Sequence, residues 1–223
     1  MQDEKLLKDR SIAIALGFIV LILIGISLGW QKFRWEHMVW LAGFLLSVLI
    51  RMPYTMQNRQ NTITDSHNDR AETIVLTAMF ATMMVLPLLY LVAPVMNFAD
   101  YQLPLWASIL GALLQLPYLW LFWRSHADLG RNWSPGLELR EQHTLVTTGI
   151  YRKIRHPMYS AIWVAAFSQG LLLQNGIAGL LVIPAFAAMC ILRIPKEEAM
   201  MVQQFGTEYT DYQARAGRLL PWF

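Results

Sequence analysis

The sequence predicts an all-α integral membrane protein of about six transmembrane helices, the last two forming a C-terminal helical hairpin. Three observations carry this. Of the 223 residues, 56% are hydrophobic and 15% charged, against about 45–50% and about 25% in soluble domains. Apolar runs of bilayer length recur along the chain, and the basic residues collect on alternate loops. Disorder is excluded, because disordered chains are poor in hydrophobics. Cys190 is the only cysteine, which excludes a disulfide framework or a cysteine metal site. No histidine cluster has metal-ligand spacing, so no metal site is expected. A net charge of +3 does not point to nucleic acid.

Ser11–Trp30 and Thr73–Val92 are each 20 residues without a formal charge, and Leu103–Trp123 is 21. Each matches the roughly 20 residues that cross a bilayer core of about 30 Å. Met38–Ile50 has 13 such residues. It spans with Trp35 and Arg51 at the two interfaces, the arginine snorkelling. Tyr159–Leu173 and Ile177–Leu192 have 15 and 16 residues and are separated by Gln174-Asn175-Gly176, a polar turn. They read as a hairpin whose arms reach about 23–24 Å and just span or fall slightly short. The first run is longer than the apolar region of a signal peptide, and no small-x-small cleavage site follows it. The organisation is one membrane domain: four N-terminal spans over 1–123, a cytoplasmic loop over 124–158, the hairpin over 159–192 and a cytoplasmic tail over 193–223.

With the N-terminus inside, 16 of the 18 Lys and Arg fall on one side, and the positive-inside rule places both termini in the cytoplasm. Arg, Lys, Asp and Glu are absent from the three long runs, which argues against an ion or proton path. The long loop before the hairpin carries a third of the basic residues, and loops of that length are uncommon unless functional.

Two stretches combine titratable groups densely enough for a site: His143 to Tyr159, and Arg193-Ile-Pro-Lys-Glu197-Glu198. A hairpin returns the chain to its starting side, so topology brings Arg155, His156 and Tyr159 toward Arg193, Glu197 and Glu198. Gly149 supplies turn freedom, and Pro157 suits the first turn of the hairpin's first helix. Pro195 is expected to start a tail helix, with Glu197 and Glu198 at its N-terminus where negative charge is favoured. Adjacent helical positions point about 100° apart, so the two carboxylates serve different partners. Each feature also has a plainer reading. Arg152, Lys153 and Arg155 can hold lipid headgroups, and Tyr151 and Tyr159 can be interfacial belt aromatics. Met201, Phe205, Tyr209 and Tyr212 form a packing stripe on a tail helix bent at Gly206, with an Asp211–Arg215 pair at i, i+4.

The stretch Leu145-Val146-Thr-Thr-Gly149-Ile-Tyr151-Arg152-Lys-Ile-Arg155-His156-Pro157-Met-Tyr159 resembles the cofactor motif of the isoprenylcysteine carboxyl methyltransferase family. The wider group includes the membrane phospholipid methyltransferases. Arg193, Glu197-Glu198, Phe205-Gly206-Thr-Glu-Tyr209 and Tyr212 resemble the tail of the same family, and Leu129-Gly130-Arg-Asn132-Trp133-Ser134 its entry loop. The likeness covers roughly residues 125–221. The chain departs from it at Ile150, where many members have proline, and at Ala161, where many have glycine.

The resemblance implies an enzyme that uses S-adenosyl-L-methionine, bound on the cytoplasmic side. Its cofactor-binding residues would be His143, Leu145, Val146, Gly149, Tyr151, Arg155, His156, Pro157, Tyr159, Glu197 and Glu198. Arg193, beside the methyl acceptor, and Tyr159 would be catalytic. The chemistry agrees. Either Glu197 or Glu198 can accept from ribose hydroxyls or an amino group, Arg155 or His156 can meet a carboxylate, and aromatic faces attract a sulfonium. Methyl transfer needs alignment and exclusion of water rather than a metal. A carboxylate acceptor is already nucleophilic at pH 7, whereas an amine needs a general base. Arg193 without an obvious base favours a lipophilic or lipid-attached carboxylate, with a phospholipid amine or a thiol as alternatives. A nicotinamide-dependent membrane reductase and a non-catalytic membrane protein are the readings from other classes. The compact length and lack of a retention signal point to a prokaryotic plasma membrane.

Overall fold

Helices make up most of the computed structural model, which describes residues 34–58, 63–66, 70–134, 138–140 and 144–221. The expected first span, Ser11–Trp30, lies outside them. The remaining helices in chain order are α1 (Trp35–Asn58), α2 (Arg70–Phe80), α3 (Leu86–Val92), α4 (Leu105–Leu129), α5 (Pro157–Leu173), α6 (Val182–Phe205) and α7 (Thr207–Arg215). The all-α expectation needs one amendment. Strands β1 (Ile63–Ser66) and β2 (Glu138–Arg140) pair antiparallel and join two connecting segments.

Among the described residues, three helical stretches are long and apolar enough to cross a membrane: Trp35–Asn58, Arg70–Val92 and Leu105–Asn132. Much of their surface points outward, as at Trp106, Leu113 and Leu116, which is the pattern of helices solvated by lipid. The first of these stretches is 24 residues rather than the expected 13. It continues through Arg51 and Pro53, so Arg51 is not at an interface end. Its guanidinium turns inward over the rings of Phe122 and Trp133, because aromatic faces attract the cation.

The second stretch is interrupted by a π-helical turn at Ala81–Val85, where the Leu86 N–H reaches back five residues to the Ala81 carbonyl. Pro87 follows and has no N–H to continue that register toward Thr82. The Thr82 carbonyl instead accepts from Gln169 Nε2 at 2.9 Å, and Gln169 also donates to Ala178 O at 2.8 Å. One buried amide thereby supplies the donor that the proline removes, as membrane helices require. The third stretch, α4 with a 3₁₀ turn at Gly130–Asn132, extends beyond the expected end at Trp123. Residues 124–129 of the expected loop are therefore helical.

α5 begins at Pro157, as the motif suggested, and is the most enclosed helix. Ala161, Ala166, Ser168 and Leu173 are all fully buried. Small side chains let α4 and α6 approach closely. The hairpin turn is wider than Gln174-Asn175-Gly176, since α6 starts at Val182 rather than Ile177. Asn175 is the reason. Its Oδ1 accepts from Ile177 N at 3.0 Å and Ala178 N at 2.8 Å, and its Nδ2 donates to Met96 O and Asp100 Oδ1 at 2.8 and 2.7 Å.

Pro195 lies inside α6 and starts no tail helix. Glu197 and Glu198 therefore sit in a helix interior, and the helix-dipole explanation for them falls. The break comes at Gly206, whose φ of +56° suits glycine, and α7 follows. Arg215 meets the Asp211 carbonyl at 3.2 Å rather than the expected side-chain pair.

Asn175→Ala leaves two carbonyl or carboxylate acceptors and two N–H donors of the turn without their partner. Such buried losses cost on the order of 2 kcal/mol or more, so the thermal midpoint in detergent is expected to fall by several degrees. An unchanged midpoint would mean that the turn is held elsewhere.

Candidate active site

α6 carries Arg193, Glu197 and Glu198 across to the end of α5 and the segment before it. Because neighbouring helical positions diverge by about 100°, the two carboxylates take different surroundings. Glu198 is buried and accepts from Arg155 Nη2 at 3.0 Å, His156 Nε2 at 3.2 Å and Arg218 Nη2 at 2.8 Å. Glu197 accepts from Tyr159 Oη at 2.5 Å and Arg193 Nε at 2.7 Å, and its other oxygen lies 3.3 Å from His156 Nδ1. His156 therefore joins both carboxylates, one at each ring nitrogen. Its ring stacks on that of Tyr159 at 5.5 Å. Arg193 is buried and also lies 3.2 Å from Glu72 Oε1, on α2.

The motif strand is fixed by the tail. Arg155 N donates to Gly217 O at 2.8 Å, His156 N to Arg218 O at 3.0 Å, and Gly217 N to Lys153 O at 3.0 Å. The Arg155 side chain adds bonds to the Gln213 and Ala216 carbonyls. Tyr151 reaches back to the end of α4, its hydroxyl donating to Ser125 O at 3.2 Å, while its carbonyl accepts from Tyr212 Oη at 2.5 Å. Gly149 has φ +60°, and a Cβ there would lie 2.2 Å from Asp128 Oδ2. The same Asp128 accepts from Ile150 N at 2.7 Å and pairs with Arg124 at 2.5 Å.

The structure thus brings together Tyr151, Arg155, His156, Pro157, Tyr159, Arg193, Glu197 and Glu198. Leu145 packs on the buried pair Tyr209 and Tyr212, and Val146 is partly buried beside it. His143 lies outside the described residues. Sequence reasoning missed Glu72, Asp128 and Arg218. Asp128 had a signal in its i, i+4 spacing from Arg124, and Glu72 in its place beside a long apolar run. Arg218, a tail arginine, had none.

The electrostatics favour charge separation. Burial alone would lower the His156 pKa, but the hydrogen bonds its ring makes to Glu197 and Glu198 outweigh it and raise the pKa above its ordinary 6.5. Burial would raise the Glu198 pKa, but His156, Arg218 and Arg155 outweigh it and hold it at about 2. The site therefore presents both signs of charge beside aromatic faces, with Tyr159 edge-on to Phe186 at 5.9 Å. Among the described residues no group of His, Cys, Asp and Glu is placed to hold a metal ion. This donor set suits a ligand with an amino group, a carboxylate and a soft cation.

These helices and this site define a membrane protein with a polar centre at one end of an apolar bundle. Residues 109–203 match the family model of the isoprenylcysteine carboxyl methyltransferase (ICMT) family. Protein-S-isoprenylcysteine O-methyltransferase B of Arabidopsis thaliana is 26% identical over 67% of this chain and 77% of the plant protein. Protein-S-isoprenylcysteine O-methyltransferase A from the same plant is 24% identical over 72% of this chain and 83% of the plant protein. The Dictyostelium discoideum protein-S-isoprenylcysteine O-methyltransferase is 38% identical over 34% and 32%. These relatives are eukaryotic and lend no support to a prokaryotic membrane.

Two outcomes are expected. The stabilisation from His156 is complete below pH 6.5 and is lost as pH rises through its raised pKa. That from Glu198 is complete above about pH 4.5 and is lost as pH falls toward about 2. The detergent-solubilised protein should therefore lose thermal stability as pH rises through the raised His156 pKa, and His156→Gln should flatten that limb; an unchanged limb would remove His156 as its cause. Gly149→Ala combines a φ penalty of about 1–2 kcal/mol with the Asp128 clash, and should lower the melting temperature measurably. A variant as stable as the parent would show that the turn has another conformation.

Proposed function

We propose that the chain is an integral-membrane methyltransferase that uses S-adenosyl-L-methionine to methylate the carboxylate of a lipophilic, prenylcysteine-type acceptor. The observation that carries this reading is the convergence of the motif strand and the Glu pair on His156, within the ICMT-matching stretch. Both termini and the site lie on the cytoplasmic face, where the basic residues collect.

When bound, the cofactor supplies a methyl group on a sulfonium, and the leaving thioether is neutral. Residues of this chain provide the rest. Glu197 and Glu198 are ionised beside His156 and offer acceptors to amino or hydroxyl groups. Arg155 holds Glu198 in place, and Arg218, whose side chain is exposed, offers charge to a bound carboxylate. Leu145 and Val146 give an apolar wall, and Gly149 with Pro157 sets the course of the strand between them. Tyr159 and Arg193 share Glu197 and so align the acceptor side with the cofactor side. A carboxylate needs no proton removed, so orientation and exclusion of water suffice.

The test is binding and turnover by purified protein in detergent. S-adenosylmethionine and its demethylated product should bind, labelled methyl should pass to an S-prenyl cysteine, and His156→Ala should weaken cofactor affinity at least about tenfold, the loss of a charge-assisted contact. Binding of a nicotinamide nucleotide in place of the sulfonium cofactor would overturn the reading. Transfer only to a phospholipid amine or a small thiol would overturn the acceptor.

A further inference from the structure

Arg51 sits inside the helical bundle, on α1, with its Cζ 5.1 Å from the Phe122 ring centroid and 5.7 Å from that of Trp133. Its Nε is buried without a hydrogen-bond acceptor. The two rings attract the charge but offer no acceptor for a guanidinium fork. An ionisable side chain in a membrane helix normally has a counter-group, and no carboxylate pairs with Arg51 among the described residues. Its contrast with Arg193 is sharp. Arg193 already has Glu197 at 2.7 Å and Glu72 at 3.2 Å, so an arriving anion finds its charge met.

A second unmet atom lines the same cage. His126 donates from Nδ1 to the Phe122 carbonyl at 2.8 Å, which leaves Nε2 as an acceptor, buried and without a partner. Its ring lies 4.5 Å from Phe122 and 5.1 Å from Trp133, the same rings that flank Arg51. The cage also adjoins the site. Ser125 and Asp128, on the same helix end, hold Tyr151 and Ile150, and Arg51 lies within electrostatic range of Arg193.

We infer that Arg51 is the anchor for the acceptor's carboxylate, and that the Phe122–His126–Trp133 cage is its headgroup pocket. This rests on the proposed methyltransferase reading and adds the residue that selects the substrate. An acylated amino acid carries both complements: an anion for Arg51, and beside it an N–H that the His126 lone pair accepts. Methylation turns that anion into a neutral ester. The same cation therefore holds the substrate and lets the product go.

Competition against labelled-methyl transfer tests this, using an N-acyl S-prenyl cysteine, its carboxamide and its methyl ester. The parent protein should prefer the acid over both neutral forms by at least tenfold. Arg51→Gln should raise the acceptor KM at least tenfold and erase that preference, while cofactor affinity stays within twofold. Arg51→Lys, which keeps the charge but not the fork, should retain the preference in part and provides the reading if the glutamine variant does not fold. Equal inhibition by acid and carboxamide in the parent, or an unchanged preference in either folded variant, overturns the inference. Failure of the parent to methylate any prenylcysteine instead overturns the reading on which it rests.

Discussion

Glu198 is a carboxylate at 6% exposure on which Arg155, His156 and Arg218 converge. Removing an ion from water costs several kcal/mol even after relaxation, so Glu198 is stable as an anion only while these donors stay together. They come from separate places: the segment before α5, and the tail after α7. The carboxylate belongs to α6. One charge therefore requires three stretches of chain to meet, and the backbone pairing of residues 153–156 with 217–218 is the scaffold that permits it. The stacked rings of His156 and Tyr159 then pass the same constraint to Glu197 and Arg193.

Much of this was legible in the sequence for a simple reason: lipid imposes a one-dimensional pattern. Thr73–Val92 and Leu103–Trp123 reappear as the cores of Arg70–Val92 and Leu105–Asn132 because uncharged runs of that length have few other uses. The meeting of Arg155, His156 and Tyr159 with Arg193 and the Glu pair followed from hairpin topology alone. What failed was local. Proline at 195 looked like a helix start, but Glu197 and Arg193 pair across one helical turn around it and the surrounding packing carries the helix through. Asn175 looked like part of a three-residue turn, yet its four hydrogen bonds fold a longer one.

The residues that sequence could not assign are those whose partners lie far along the chain. Glu72 and Arg193 are separated by most of the molecule, and nothing in the spacing of either suggests the other. Arg51 illustrates the opposite error. At the end of an apolar run it reads as an interfacial snorkel, and only the positions of Phe122 and Trp133 show that it turns inward. Gln169 is similar, a polar residue in an apolar helix whose use appears only beside the carbonyl that Pro87 leaves unpaired.

The continuity of α6 through Pro195 fixes a length. Arg193 and Glu198 are five residues apart on one rod, about 7.5 Å along its axis at 1.5 Å per residue. The chain thus keeps the Arg193–Glu197 pair and the Glu198 cluster at a set spacing and angle, without a hinge between them. Adding or deleting one residue between the two would twist them apart by about 100° while leaving every side chain present.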